Sequence, residues 1–492
     1  MTTIPEREHT ADVERATDEA ARAAAEWRAS TLKQRARVMR DAVQVVLGRA
    51  DEIAATVSAE TGKPLTEAIS HDLFPALDHA AWLGRNLEKV LRRRRIRYSQ
   101  PHLLHKRAWE TYEPYGVVAV ISPWNVPFAI PFTSVATAIA AGNAVVLKPS
   151  ELTPASGEWV RRVLEEAGAP SGLVSIVHGE GPVGEALVAQ PGVAKVFFTG
   201  SVVVGRRVAA AAGTRGCPVV LELGGKDAFV VFADADLGRA VDGALFAAFT
   251  GAGQVCVSAE RIYVEQPVYD EFVRRFVSGA EALRPNEEIS PLITERQRAK
   301  IDALVAESGG EVLTGGRAGD GTFYEPTVII GPAPDAAIQR EEIFGPAVTV
   351  HPFETEDEAV ERANASEFAL GASVWTGDMR RARRVARRIE AGMVWVNDFG
   401  YSYGAGQASW GGAKSSGFGR SLSRHGLLEC VQVKLVDEDR GRLRPAWWYP
   451  YDERTATALR NGLDVLYGDG RVASAWRHRR DLVHLAKRAL GR

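Results

Sequence analysis

Three residues of this 492-residue chain could together carry out nucleophilic chemistry, and they stand far apart in sequence. Cys256 sits in "FTGAGQVCVSAERIYV", a loop of small residues just ahead of an apolar, strand-like run. A free thiol is either a small core filler or, as the thiolate, a strong nucleophile. Glu222, in "VVLELGGKD", is flanked by leucines and followed by two glycines. Apolar surroundings destabilise a charged carboxylate and raise its pKa towards the range of a general base; the alternative is an ion-paired strand residue. Asn125 lies in "ISPWNVPF", where two prolines stiffen the backbone. A rigidly held amide can donate to an oxyanion, or it can simply complete a turn.

The elements that must position these groups follow from length and pattern. A chain of this length exceeds one compact core, so two or three domains and a cleft between them are expected. Hydrophobic residues make up 46% and charged residues 25%, ordinary values for a soluble globular protein. No apolar run approaches the length of a bilayer span. A net charge of −2 excludes a nucleic-acid binder held by bulk electrostatics. Cys217, Cys256 and Cys430 are odd in number and widely spaced, which argues against a disulfide framework and against zinc, so no metal is expected. The N-terminal residues lack a basic region followed by an apolar one, and the expected location is the cytoplasm.

From about Thr10 to Arg95 the spacing predicts helices, including "LKQRARVMRDAVQVVLGRADEIAATVSAETG", which ends in a glycine able to stop a helix. Between Tyr115 and Gly225, "GVVAVI", "NAVVLKP", "LVSIVHG", "KVFFTGS" and "PVVLELGG" read as strands separated by helical stretches. Apolar strands without alternation, joined by helices, indicate a parallel sheet covered on both faces. The pattern restarts after Gly225 with "DAFVVF", "RIYVE", "AVTVHPF" and "GMVWVN", a second α/β domain. From about Arg440 an aromatic, proline-rich segment leads to "ASAWRHRRDLVHLAKRAL", read as one basic amphipathic helix.

Two glycine motifs compete for a dinucleotide. "GEGPVG", Gly179 to Gly184, matches G-x-G-x-x-G after a strand, yet no acidic residue ends the next strand, which closes on Gly-Ser. "FTGSVVVG" is the better phosphate site, because a strand runs into a turn and the next helix presents its N-terminus; an ordinary turn capped by Ser201 is the alternative.

Taken together, "SPWNVPF", "GNAVVLKPSELTP", "VFFTGSVVVG", "LELGGKD", "GQVC" and "EEIFGP", in this order, closely resemble the NAD(P)-dependent aldehyde dehydrogenase superfamily from about residue 15 to about 438. The resemblance implies an α/β fold with a Rossmann-like NAD domain (1–95 and 115–224), a catalytic domain (225–428) and a small oligomerisation hairpin (96–114, with 429–438). Residues 440–492 form an extension outside the resemblance. It makes Cys256 the nucleophile, Glu222 the general base, and Asn125 with the Cys256 N–H the oxyanion donors. Lys148 and Glu151 match positions that hold the adenosine ribose, Gly181 and Gly184 lie near the adenine, and Ser201 with its helix takes the pyrophosphate. Glu342 and Phe344 hold the nicotinamide ribose and ring. Ile121, Ser122, Pro123, Trp124, Ser150, Phe198, Gly200, Val204 and Leu223 complete the implied cofactor set. Val203 departs from the family's frequent Glu. Because a carboxylate accepts from a 2′-hydroxyl and repels a 2′-phosphate, Glu151 favours NAD, with NADP possible.

The neighbours of these motifs, Val126, Ile130, Val255, Val257 and Trp410, would line the substrate tunnel. They are apolar and partly aromatic, so a hydrophobic or aromatic aldehyde is expected. Phe399, Tyr401 and Tyr403 would add to the wall or form an aromatic surface loop. By the same likeness the chain assembles as a homodimer or homotetramer. The C-terminal helix is expected to pack on its own subunit in preference to a membrane surface, a partner subunit or the tunnel mouth. Two other readings stand beside hydrolytic oxidation: a CoA-acylating enzyme, which generally lacks the general-base Glu, and a catalytically silent scaffold.

Overall fold

The computed structural model describes residues 6–400, 402–441 and 444–491. The chain forms two compact units, one made of residues up to Arg92 with Tyr112–Gln432, the other of Arg93–Thr111 with the residues from Val433 on.

The larger unit opens with the predicted helices, Glu6–Arg28, Leu32–Gly48 and Ala50–Thr61, followed by a helical run from Leu65 to Leu91. The stretch read as ending at a glycine does end there, with Gly62 left-handed at φ 73°. It is two helices, however, parted at Arg49, whose φ and ψ (−113°, 11°) are not helical. The run from Leu65 contains a wider, π-helical turn at Ile69–Leu73. Such turns insert a residue and re-aim side chains, often at functional sites.

Six strands form the first sheet in the order Gly417–Phe418, Val219–Glu222, Val193–Thr199, Val117–Ile121, Ala144–Lys148, Val174–Ile176. All neighbours are parallel except the short edge strand at Gly417. The chain builds outward from Val117–Ile121 on one side and then returns to build on the other. A crevice therefore opens past the carboxyl ends of Val117–Ile121 and Val193–Thr199, the position where open α/β sheets bind ligands. Register puts Lys148, Ile121, Phe198 and Leu221 in one row across that edge. The helix Ala129–Ala141, which follows the central strand, is buried along its whole length, so its apolar residues show no amphipathic stripe.

A second sheet has seven strands in the order Glu311–Thr314, Thr327–Ile330, Ala347–Phe353, Ala259–Glu265, Asp227–Val231, Gly371–Trp375, Met393–Val396, antiparallel only at Glu311–Thr314. Three of these, Glu311–Thr314, Thr327–Ile330 and Gly371–Trp375, are not among the strands expected above, although Thr327–Ile330 is β-branched throughout. Gly371–Trp375 is buried at every residue and has a glycine at its start, so neither alternation nor β-branched content marks it.

The smaller unit holds most of a three-stranded sheet of Arg94–Ile96, Lys106–Pro114 and Val431–Asp439. Its C-terminal part corrects the reading of one amphipathic helix. That stretch falls on two helices, Arg471–Arg477 and Arg479–Ala489, and a third, Glu453–Tyr467, precedes it. The break falls at His478, which caps the helix before it by donating its N–H to the Ser474 carbonyl.

Candidate active site

Cys256 follows a loop whose backbone the small residues make possible. Gly251, Ala252 and Gly253 are all left-handed, with φ of 60°, 54° and 68°. A Cβ at Gly253 would lie 2.2 Å from the Gly345 carbonyl oxygen, so only glycine fits. Glu67, from the helical layer, holds this loop: one carboxylate oxygen accepts from the Gly251 N–H (2.8 Å) and the Thr250 hydroxyl (2.9 Å). The Gln254 amide ties the loop further, donating to the Gly251 carbonyl at 3.1 Å and accepting from the Ile293 N–H at 3.0 Å. Gly225 packs against the same turn, since a Cβ there would stand 2.2 Å from the Cys256 carbonyl oxygen. Burial, reinforced by Asp227, Glu342 and Glu222, pushes the Cys256 thiol well up from its ordinary value. A base or a nearby positive charge is therefore needed to make it a nucleophile at neutral pH.

Glu222 ends its strand at 8% exposure, and neither carboxylate oxygen makes a hydrogen bond of good geometry, although the Ser421 side chain lies near. Burial raises its pKa to about 8, with only partial relief from Ser421 and the Arg420 guanidinium. An unpaired buried carboxyl of this kind is costly in a purely structural role and suited to taking a proton near neutrality. The ion-paired alternative is excluded by its surroundings.

Asn125 is buried, and its side-chain amide donates to the Gln254 carbonyl at 3.0 Å, which leaves its second N–H for another acceptor. The prolines are not its only restraint. Lys63 donates to the Asn125 backbone carbonyl and lies 3.6 Å from Asp72. Asp72 in turn accepts from the Phe128 and Ala129 N–H groups at 2.9 and 3.0 Å, at the start of the buried helix. Sequence reasoning missed Lys63, Glu67 and Asp72. Their one signal is charged residues recurring within an apolar helical pattern, in "GKPLTEAISHD". Asn125→Ala is expected to lower kcat by about 10²–10³ with unchanged far-UV circular dichroism, measured by steady-state NADH formation.

These three groups line one cavity of about 350 Å³. Val126, Ile130, Val255, Val257 and Trp410 line it too, as do Phe399 and Tyr403; Tyr401 lies outside the described residues. The Tyr403 and Trp410 rings meet edge to face at 4.7 Å. His71, from the π-helical turn, also reaches the wall, with Nε2 3.1 Å from the Thr250 hydroxyl.

The residues assigned to a cofactor gather mostly at the carboxyl edge of the first sheet. Ile121, Lys148 and Phe198 share one row, followed by Ser122 to Trp124, Ser150 and Gly200. The Ser122 N–H donates to the Lys148 carbonyl at 3.1 Å, and the Gly200 N–H to the Glu222 carbonyl at 3.1 Å. Gly184 backs onto Lys148 and Ile121, whereas Gly181 faces open space at the start of its own helix. Ser201 caps the helix Val202–Gly213, its hydroxyl 3.4 Å from the Val204 N–H. Val203 and Val204 beside it are exposed. Lys148 is buried and its pKa lowered by that burial, while Glu151, 3.5 Å away, is exposed.

Leu223, Glu342 and Phe344 join this edge to Glu222 and Cys256. Leu223 packs on Gly205 of the capped helix. Glu342 accepts from the Gly225 N–H at 2.9 Å, and burial beside Glu260 raises its pKa to about 7. Phe344 is left-handed at φ 53°, and its ring meets Trp124 edge to face at 5.6 Å. That strained backbone is held by Glu260, which accepts from the Ile343 and Phe344 N–H groups and is ion-paired with buried Lys226 at 2.8 Å.

The chain matches the aldehyde dehydrogenase family over residues 1–436. Among solved structures it is similar to an NAD-dependent aldehyde dehydrogenase from Sinorhizobium meliloti, at 36% identity and a TM-score of 0.85, covering 89% of each chain. Betaine aldehyde dehydrogenase from Staphylococcus aureus in complex with NAD+ matches at 32% identity and a TM-score of 0.84, again over 89% of each. An indole-3-acetaldehyde dehydrogenase from P. syringae, in complex with NAD+, matches at 31% identity and a TM-score of 0.83, over 87% of this chain and 89% of that one. With its three chemical groups in one cavity beside a doubly wound sheet, and with these matches over most of its length, the chain belongs to the aldehyde dehydrogenase family.

Proposed function

We propose that this protein oxidises a hydrophobic or aromatic aldehyde to its carboxylic acid, using NAD, through a thioester on Cys256. The carrying observation is the shared cavity: Cys256, Asn125 and the buried carboxyl of Glu222 line one apolar chamber. The first sheet and its helices serve as the cofactor domain, the second sheet as the catalytic domain, and the hairpin as the homo-oligomer contact.

The residues present fit a dinucleotide. A crevice lies at the sheet's switch point, a capped helix N-terminus faces it, Gly181 opens onto free space, and the exposed Glu151 carboxylate can accept from ribose hydroxyls. That carboxylate repels a 2′-phosphate and so favours NAD over NADP. Oxidised NAD supplies the hydride acceptor when bound.

Once its proton has passed to water, the Cys256 sulfur adds as the thiolate to the aldehyde carbon, and the carbonyl oxygen becomes an alkoxide held by the free Asn125 N–H and the Cys256 N–H. Once that carbon is oxidised, a thioester joins it to Cys256. Glu222, its carboxylate unpaired, takes a proton from water. The resulting hydroxide attacks the thioester carbon, the thiolate leaves, and the acid is released.

Purified protein with NAD and a panel of aliphatic and aromatic aldehydes is expected to form NADH without added CoA. A strict CoA requirement would establish the acylating type, and no NADH with any aldehyde would establish a scaffold. Trp410→Ala is expected to raise KM for aromatic aldehydes about tenfold or more, with kcat changed far less, because Trp410 forms wall and not chemistry.

A further inference from the structure

Residues 441–492 carry eleven Lys or Arg against five Asp or Glu, in a chain of net charge −2. Their three helices bury only small side chains: Thr455, Ala458, Gly462 and Ser474. Several large apolar ones turn outward, Val472 at 87% exposure, Trp476 at 72%, Tyr467 at 70% and Leu463 at 55%, while Leu459, Val465, Leu466, Leu482 and Leu485 are half-buried. Leu463 and Tyr467 are one helical turn apart, as are Val472 and Trp476, so each pair shares a helix face.

The charges are sorted in the opposite sense. Asp452 accepts from the Thr455 N–H (2.7 Å) and lies 3.3 Å from Arg488; Asp481 accepts from Asn461 at 2.8 Å; Asp464 lies 3.5 Å from His478. Three of the five acidic groups are thus engaged inside the tail, while Glu453 and Asp469 are exposed. Arg471, Arg477, Arg480 and Lys487 are exposed and have no ion-pair partner among the described residues. Arg479 covers the Trp476 ring at 5.0 Å, placing a cation on the exposed aromatic itself.

We propose that the tail docks on a membrane surface rich in anionic phospholipid through these exposed apolar and cationic side chains. Val472 and Trp476 enter the headgroup region while Arg471, Arg477, Arg480 and Lys487 meet lipid phosphates. Exposed Trp447, Trp448 and Tyr449 in the same unit suit that polar–apolar boundary. The contact is peripheral, since no helix among the described residues is long and apolar enough to cross a membrane. A twofold contact between copies through these side chains would set like charges against each other, which disfavours a second copy as the occupant.

The test is co-sedimentation of the full chain with vesicles of phosphatidylcholine alone and of phosphatidylcholine with phosphatidylglycerol. The bound fraction is expected to be at least about tenfold higher on the anionic vesicles, and to fall as salt screens the charges. Trp476→Ala, and separately Arg471→Gln with Arg477→Gln and Arg480→Gln, are each expected to reduce binding about tenfold with NADH formation unchanged. Equal partition to both vesicle types, or none to either, would overturn the proposal. So would variants that leave vesicle binding intact or that instead change the oligomeric state measured by light scattering, the latter assigning these side chains to a second copy.

Discussion

Cys256→Ala is expected to abolish steady-state NADH formation, a loss of at least about 10⁴-fold, because removing a nucleophile removes the covalent path and leaves only binding. The scale of that loss distinguishes a nucleophile from a packing residue. Cys256 is half-buried at a cavity wall, so deleting one sulfur there costs little stability, about 1 kcal/mol or less. The variant should fold, melt near the wild-type temperature and bind NAD, as read by calorimetry. Retained turnover would assign the chemistry elsewhere. A related result concerns the wild-type thiol without cofactor. Because burial and three carboxylates hold it protonated, alkylation by iodoacetamide should be slow near pH 7 and rise steadily with pH.

Glu222→Gln is expected to separate the two halves of the reaction. Thioester formation does not need this carboxylate, so one equivalent of NADH per site should still appear in the first turnover. Steady-state turnover should fall by about 10²–10⁴, with the thioester detectable by mass spectrometry of the intact chain. The wild-type kcat should rise with pH through about 8 as Glu222 ionises, and this inflection should vanish in the variant. Full loss of the first-turnover NADH would instead assign Glu222 to thiol activation.

The same residue predicts a stability effect of definite sign. Its folded pKa, about 8, lies above the ordinary value of 4.5, so the folded state holds its proton more tightly than the unfolded one. As pH rises from 4.5, the unfolded chain releases the proton first, and stability falls until the folded form also ionises at about 8. Glutamine carries no such penalty. The variant should therefore melt with the wild type below pH 4.5 and a few degrees above it at pH 9, compared at one scan rate.

Much of the site could be read locally because its parts are local. The loop before Cys256 needs three left-handed residues in a row, and two of these are glycines; the leucines beside Glu222 already mark it for burial. The parallel sheets show in unbroken apolar runs. What could not be read are the residues that act across the fold. Lys63, Glu67 and Asp72 look like the polar side of a helix. Only the packing of that helix against the loops of Asn125 and Cys256 turns them inward, where each carboxylate accepts two bonds. Glu260 and Lys226 likewise become a support for Phe344 only where strand and loop meet.

The sequence by itself determined which groups could react, which turns glycine must make and that two parallel sheets would carry them, since these depend on residue type and near neighbours. The tertiary structure decided whether those groups share a chamber, how far burial raises Glu222 and Cys256, and that the tail turns its tryptophan outward. Those properties depend on which surfaces exclude water, and water is excluded by residues far away in the chain.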